Sequence, residues 1–92
     1  MSSHTLTFSG GYDSITVNNE TVTSPYALTE DCTIQIISMH SVTVNGVTYD
    51  ALPQSESPRV LTISSQDITV EVATSGLPEP LSDNNITINY TA

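Results

Sequence analysis

The sequence predicts a single all-β domain, a small antiparallel β-sandwich or partly open barrel of about 7–9 short strands. Three observations support this prediction. Valine and isoleucine alternate with threonine over most of the chain, which is the period-two pattern of half-buried strands. Asn-Asn at 18–19 and Asn-Gly at 45–46 interrupt the alternation as two-residue turns. No window has the 3.6-residue periodicity and caps of a helix, so no substantial helix is expected.

The strands predicted before residue 30 end at turn-forming residues. Strand 4–9 stops at a Gly-Gly pair, and strand 14–18 leads through the Asn-Asn turn into the short strand 20–23. Both central residues of a type I′ turn need positive φ, which asparagine and glycine tolerate. Pro25 then ends the pairing because proline has no N–H to donate.

The middle of the chain shows a clearer alternation. In strand 32–37, Cys32 is in phase with two isoleucines, which indicates a small core residue. Ile37 breaks the alternation and indicates either a bulge or a strand with two apolar faces. Strands 41–44 and 47–49 flank Asn-Gly, which is the strongest short-range signal for a hairpin.

A proline-containing arm, residues 73–84, follows strands 59–64 and 67–72 and precedes the last strand, 85–90. The centre of the arm reads Leu-Pro-Glu-Pro-Leu, and a residue before proline avoids the α region, so we expect an extended segment. A semi-rigid arm loses little entropy when it is ordered against a neighbouring chain. An ordinary solvent-exposed loop is the alternative. The candidate partner contacts are this arm and two tyrosines near turns: Leu77, Pro78, Pro80, Leu81, Tyr12 and Tyr26.

The hairpin motif occurs twice. Residues 14–37 contain a hairpin, SITVNNETV, followed by a return strand, and residues 41–72 repeat this order beginning with SVTVNGVTY. The pattern predicts an internal repeat within one domain that spans residues 1–92. Chance similarity among threonine-rich strands is the alternative, since 27 of the 92 residues are serine or threonine.

The charge of the chain excludes several classes of partner. Arg59 is the single cation against ten acids, and the net charge is −9. Phosphate backbones and anionic membrane surfaces attract clustered lysine and arginine, so we expect neither nucleic acid nor membrane as a partner. The acids are dispersed along the chain, as is typical of solvated surfaces.

Cysteine content and the N-terminal sequence bear on where the chain folds. Cys32 is the one cysteine, so no disulfide forms within the chain. The first residues lack the basic and apolar regions of a signal peptide, and no run approaches the ~18 apolar residues of a transmembrane helix. We therefore expect a soluble protein that folds in a reducing cytoplasm.

Residues capable of catalysis or metal binding are few. His4, His40 and Cys32 do not match a zinc-binding spacing, and a Cys32–His40 dyad has no recognisable signature around it. No run of acids matches a calcium-binding loop, although a loose Ca²⁺ site that bridges loops or subunits stays open. The sequence thus predicts a protein that is not an enzyme and has no catalytic residue, cofactor or resident metal.

Residues 14–72 contain the segments SITVNNETV, SPYALTED and SVTVNGVTY. In these segments the sequence resembles small all-β accessory proteins of tailed-phage virions. The resemblance implies a structural protein folded in the host cytoplasm and located in the virion, most simply a capsid decoration or head-surface protein. Its partners would be copies of itself, the major capsid protein or another virion protein, in a homo-oligomer or on a lattice. The alternative is an immunoglobulin-like module that binds a cell-surface glycan or protein. A third hypothesis for the function is a small hydrolase.

Overall fold

The computed structural model describes residues 4–50, 52–53, 59–74 and 82–92. Within them the chain forms eleven strands and no helix, which confirms the all-β prediction. In chain order the strands are β1 (His4–Gly10), β2 (Ser14–Val17), β3 (Glu20–Thr21), β4 (Tyr26–Leu28), β5 (Cys32–Ser38), β6 (Val42–Val44), β7 (Val47–Tyr49), β8 (Leu52–Pro53), β9 (Arg59–Ser64), β10 (Ile68–Val72) and β11 (Ser82–Thr91). None of the described segments is a helix long and apolar enough to cross a bilayer.

The strands form two mixed sheets that stack as a sandwich and do not close into a barrel. Sheet 1 has the order β4-β1-β10-β6-β7. Sheet 2 has the order β3-β2-β5-β11-β9, and β8 pairs with the first residues of β11. The two hairpins, β2-β3 and β6-β7, form at the turns that the sequence predicts, and each lies at one edge of its sheet.

Two pairings differ from the antiparallel pattern that the hairpins predict. β1 pairs with β10 in parallel, and β11 pairs with β9 in parallel. Each parallel pair joins strands that are far apart in the sequence. Turn signals report only on neighbouring strands, so nothing in the local sequence indicated the direction of these pairs.

The alternating apolar residues of both sheets meet in one core. Valine, isoleucine and leucine from the inward face of each long strand supply most of it, and Phe8 and Tyr90 supply the aromatic part. The buried core residues are Leu6, Phe8, Ile15, Val17, Leu28, Ile34, Ile36, Val42, Val44, Ile68, Val70, Val72, Ile86, Ile88 and Tyr90. Cys32 packs against this core. Ile37 lies half-buried on the opposite face, so β5 is two-sided.

Several strand boundaries differ from the sequence-based prediction. Tyr26–Leu28, for which no strand was predicted, forms β4 and pairs with β1. β3 is only two residues long, whereas β11 extends to ten. Tertiary pairing explains the longer β11, because β5, β8 and β9 all form hydrogen-bonded pairs with it. These strands supply hydrogen-bond partners for the backbone groups of residues beyond the predicted strand 85–90.

The two hairpin units have the same pairing register with their return strands. In sheet 2, Ile15 of β2 is opposite Ile36 of β5. In sheet 1, Val42 of β6 is opposite Val72 of β10, and these are the equivalent positions of the second unit. Duplication of 14–37 as 41–72 remains a prediction.

An asparagine starts the turn of each hairpin and bonds to the return strand. Asn18 (φ 50°) and Asn45 (φ 48°) both adopt the left-handed region. The Asn18 amide donates to the Thr33 carbonyl at 2.9 Å, and the Asn45 amide donates to the Thr69 carbonyl at 2.9 Å. Each asparagine Oδ1 accepts the amide of the same threonine, at 3.0 Å and 2.8 Å. The side chain therefore fixes the turn to the third strand as well as shaping it.

Two polar contacts close the sandwich near β7. The Asn84 side chain, 1% exposed, donates to the carbonyls of His40 at 3.1 Å and Tyr49 at 2.9 Å. The Arg59 guanidinium lies 5.1 Å from the centroid of the Tyr49 ring and donates to the Asp50 carbonyl at 3.1 Å. Asn84 and Arg59 belong to sheet 2, so both contacts tie it to the edge of sheet 1.

Candidate docking surface

Among the described side chains, the outward positions of sheet 2 from Asn85 onward in β11 and across β3, β2, β5 and β9 are neutral, and we call this surface the uncharged face. Successive side chains of a strand point to opposite faces, so the residues between the buried ones face outward. Strand register places them side by side across β3, β2, β5, β11 and β9. The residues of the uncharged face are Ser14, Thr16, Thr21, Thr33, Gln35, Ile37, Val60, Thr62, Ser64, Asn85, Thr87, Asn89 and Thr91.

Gln35 lies at the centre of the uncharged face. Thr16 of β2 and Thr87 of β11 flank it in register, and Val60 of β9 continues the row to the edge of the sheet. The first three side chains are half-buried because neighbours on adjacent strands pack against them, whereas Val60 is 59% exposed. The row is therefore a closely packed polar surface with an apolar residue at its margin.

Acidic residues lie elsewhere in the described part of the chain. The outer face of sheet 1 carries Glu71 of β10 between Ser9 and Thr43. Asp83 belongs to the segment of β11 that pairs with β8, before the rows of the uncharged face begin. Among the described outward positions of the strands, the two faces therefore differ by one carboxylate, Glu71, and the face without it is the candidate surface for contact.

An uncharged face can be covered by a protein at low electrostatic cost. Burying an unpaired carboxylate is strongly unfavourable, whereas burying a neutral hydroxyl or amide costs far less once its donors and acceptors are hydrogen-bonded. The cores of protein interfaces are accordingly depleted of charged residues. Strand spacing and rise give a face of roughly 24 Å by about 20 Å. This area, roughly 500 Å², is below the ~800 Å² that each partner contributes to a standard stable interface.

The other cluster of polar side chains surrounds the first residue of β5. The hydroxyl of Tyr90 lies 3.2 Å from Nδ1 of His4, and Tyr90 is opposite Cys32 in the sheet register. Burial raises the pKa of the Cys32 thiol, and the carboxylates of Glu30 and Asp31 raise it further. An activated cysteine needs the opposite shift, so this environment favours an inert thiol.

Cys32 and His40 lie at opposite ends of one strand. Cys32 begins β5, and His40 follows Ser38, which ends it. Six steps of about 3.3 Å separate the strand ends by roughly 20 Å, so the two side chains do not form a dyad. His4 begins β1 opposite Leu28 and contacts Tyr90.

A small cavity lies between the hairpin turn of sheet 2 and β4. Its volume is about 20 Å³, and Asn18, Tyr26, Glu30 and Cys32 are among the residues that line it. A cavity of this size holds about one water molecule. Across the described segments, no group of three histidine, cysteine, aspartate or glutamate residues is arranged to hold a metal ion.

Stability is expected to fall as the pH rises above about 9, because Cys32 and Tyr90 both have raised pKa values in the folded state. Burial is the larger cause for Tyr90, and the charges of Cys32, Asp67 and Asp31 add to it. The folded state then holds these protons more tightly than the unfolded state. Their contribution is complete below the unfolded pKa values, about 8.5 for a thiol and about 10 for a phenol, and is lost as pH rises through the folded values.

Urea unfolding between pH 8 and 11 measures this loss. The chain has no lysine, so tyrosine and cysteine are the side chains that titrate in this range. Cys32→Ala should remove the first part of the decline and keep the later part, which Tyr90→Phe should remove. A free energy of unfolding that stays constant to pH 11 would contradict the assignment.

The candidate contacts predicted from sequence have separate locations. Tyr12 is 37% exposed in the turn after β1, where its ring meets Phe8 edge-on with centroids 5.4 Å apart. Tyr26 is half-buried in the edge strand β4 and packs against the core. Neither tyrosine belongs to the uncharged face. The predicted contacts of the proline arm, Leu77, Pro78, Pro80 and Leu81, lie outside the described residues.

Sequence reasoning did not identify the uncharged face, although its signal was present. The outward positions of strands 14–17, 32–38, 59–64 and 85–91 contain no acid, whereas strand 67–72 contains Glu71 at such a position. The separate neutral positions form one surface only because these strands share a sheet, and the order of strands in the sheet is known from the structure alone. Comparison with protein-family models, with curated proteins and with solved structures finds no match to this chain.

Proposed function

We propose that this chain is a non-enzymatic structural protein of a tailed-phage virion, a capsid decoration or head-surface protein that docks on a repeating protein lattice. The observation that carries the proposal is the uncharged face on a chain of net charge −9. The resemblance of residues 14–72 to virion accessory proteins supplies the kind of partner. Gln35, Thr16 and Thr87 lie at the centre of the proposed contact.

A repeating lattice suits a face of this size. A contact of roughly 500 Å² on each partner is at the weak end for a single protein pair. When linked copies bind neighbouring sites, the second binding event becomes intramolecular and the overall affinity exceeds that of one contact by orders of magnitude. A weak contact therefore suffices where copies on neighbouring sites of the array are also joined to one another.

The test begins with particles of the tailed phage whose genome contains the coding sequence. Mass spectrometry of the purified virions is expected to find the chain in many copies per head. Heads from a deletion phage are then mixed with the purified chain, and the bound fraction is measured by sedimentation. Absence of the chain from the virion, or failure to bind the deleted heads, would overturn the proposal.

Two matched substitutions locate the contact. Gln35→Glu places one carboxylate at the centre of the uncharged face with almost no change in shape, and we expect it to weaken head binding at least about tenfold. Gln66→Glu adds the same charge in the exposed turn after β9 and should bind as the unmodified chain does. Equal binding by both variants would show that another surface docks.

A second candidate function is that of an immunoglobulin-like module that binds cell-surface glycans, and Tyr12 is the residue that favours it. An exposed tyrosine held by an aromatic neighbour offers a ring on which a sugar can stack, and Phe8 holds Tyr12 in this way. This function predicts a monomer whose melting temperature rises in the presence of an oligosaccharide, through binding to the folded state. Tyr12→Ala would abolish that rise and leave head binding unchanged.

A further inference from the structure

β9 is the longest edge strand of the described sandwich. It runs from Arg59 to Ser64 and pairs in parallel with β11 over six positions. In the ranges that the structure describes, no strand pairs with its other side. The backbone groups on that side form a template on which another strand can add.

The remaining edge strands are much less suited to strand addition. β3 has two residues and contains Glu20, while β4 and β7 have three residues each. Short and charged edges are common devices by which proteins prevent edge-to-edge association. β9 has neither device along its centre, where it reads Val-Leu-Thr-Ile.

The absence of acidic residues and the presence of a cation also distinguish β9 from the rest of the molecule. The strand contains no acid and begins with the one cation of the chain, Arg59. The guanidinium of Arg59 is engaged by the Tyr49 ring and the Asp50 carbonyl of its own molecule. Two copies of net charge −9 repel each other, and β9 is the long edge along which they meet with no acid in the joined strands.

We propose that two copies of the chain associate through antiparallel pairing of their β9 strands, about a two-fold axis next to Thr62. Residues directly opposite in an antiparallel pair lie on the same face of the sheet. A two-fold axis at Thr62 places Val60 opposite Ser64 and sets the two Thr62 side chains face to face on the outer side. On the inner side it sets Leu61 opposite Ile63 twice, so that these half-buried residues gain apolar neighbours.

The pairing joins sheet 2 of each copy into one continuous sheet. The uncharged faces of the two copies then lie side by side, and the apolar Val60 at the margin of each face becomes interior to the joined surface. The association uses the edge of β9 and not its outer face. It therefore goes beyond lattice docking and holds whether or not the chain is a virion protein.

The experiment measures molar mass by light scattering, with no other component present. The unmodified chain is expected to approach twice its 9.8 kDa mass as its concentration rises from about 10 µM to about 1 mM. Added salt should increase the dimer fraction, because it screens the repulsion between two acidic copies. A chain that stays monomeric throughout this range, at low and high salt, would overturn the proposal.

Charge substitutions at the two-fold axis test the register. Thr62→Glu and Thr62→Lys each set two like charges opposite one another, and each variant alone should remain monomeric. An equal mixture of the two should dimerise at least as well as the unmodified chain, because opposite charges then meet. This rescue also shows that both variants are folded. A mixture that stays monomeric while the unmodified chain dimerises would contradict the Thr62 register.

Thr21→Glu is the matched control. It makes the same substitution on the same outer face, but at β3, on the opposite edge of sheet 2. We expect it to dimerise like the unmodified chain. Equal loss of dimer in Thr21→Glu and Thr62→Glu would mean that net charge, and not β9 pairing, controls association. The lattice experiment has a separate readout, so failure of one proposal does not imply failure of the other.

Discussion

Gly10→Ala is expected to destabilise the domain by about 3 kcal/mol or more, a large share of the roughly 5–14 kcal/mol expected for a chain of this size. Gly10 ends β1 opposite Val72, with a φ of 106°. A Cβ added there would lie 1.8 Å from the Val72 carbonyl oxygen and 2.8 Å from its carbonyl carbon. These are backbone atoms of a core strand, so the end of the β1-β10 pair would have to separate.

Gly46→Ala is the control that isolates this clash. Gly46 also has a positive φ, 85°, but a Cβ added there has no atom within 4 Å. It should cost only the backbone strain of an L residue in that region, about 1 kcal/mol. Urea unfolding of both variants gives the two losses. Equal losses would show that the close approach of β1 to β10 carries no energetic weight.

Asn84→Ala is expected to cost about 2–4 kcal/mol, because it removes two hydrogen bonds and leaves two acceptors without their donor. The Asn84 side chain donates to the His40 and Tyr49 carbonyls. His40 lies in the connection between the sheets, and Tyr49 ends β7, so the same side chain holds both to β11. The loss is expected to appear as a lower melting temperature and a lower urea midpoint.

Asn89→Ala is the matched control on the same strand. Asn89 is exposed on the outer face of β11, and surface changes of this kind stay within about 0.5 kcal/mol. Asn84→Asp is a second probe, because it keeps the shape of Asn84 but directs a carboxylate at two carbonyl oxygens. We expect a variant that is unstable at neutral pH and recovers as acid protonates the new group. A neutral Asn84→Ala would contradict the role assigned to this side chain.

The inward positions of the strands were predictable because alternation requires only local information. Ile15, Ile34 and Val70 each lie in a period-two pattern, and each is buried where that pattern places it. The turns were also predictable, since asparagine and glycine mark the positions of positive φ at 18–19 and 45–46. The hydrogen-bond partners of the turn residues were not predictable, because the Asn45 side chain bonds to Thr69 on a strand far along the chain.

The sequence by itself determined the all-β class, the two hairpins, most of the aliphatic core residues and the acidic character of the molecule. These follow from local backbone preference and from the alternation of apolar and polar side chains. Only the tertiary structure decided which strands share a sheet, the parallel direction of β1-β10 and β9-β11, and the exposure of one edge of β9 within the described chain. The physical reason is that a strand offers the same backbone groups on both edges, so its partner is chosen by packing of the whole chain.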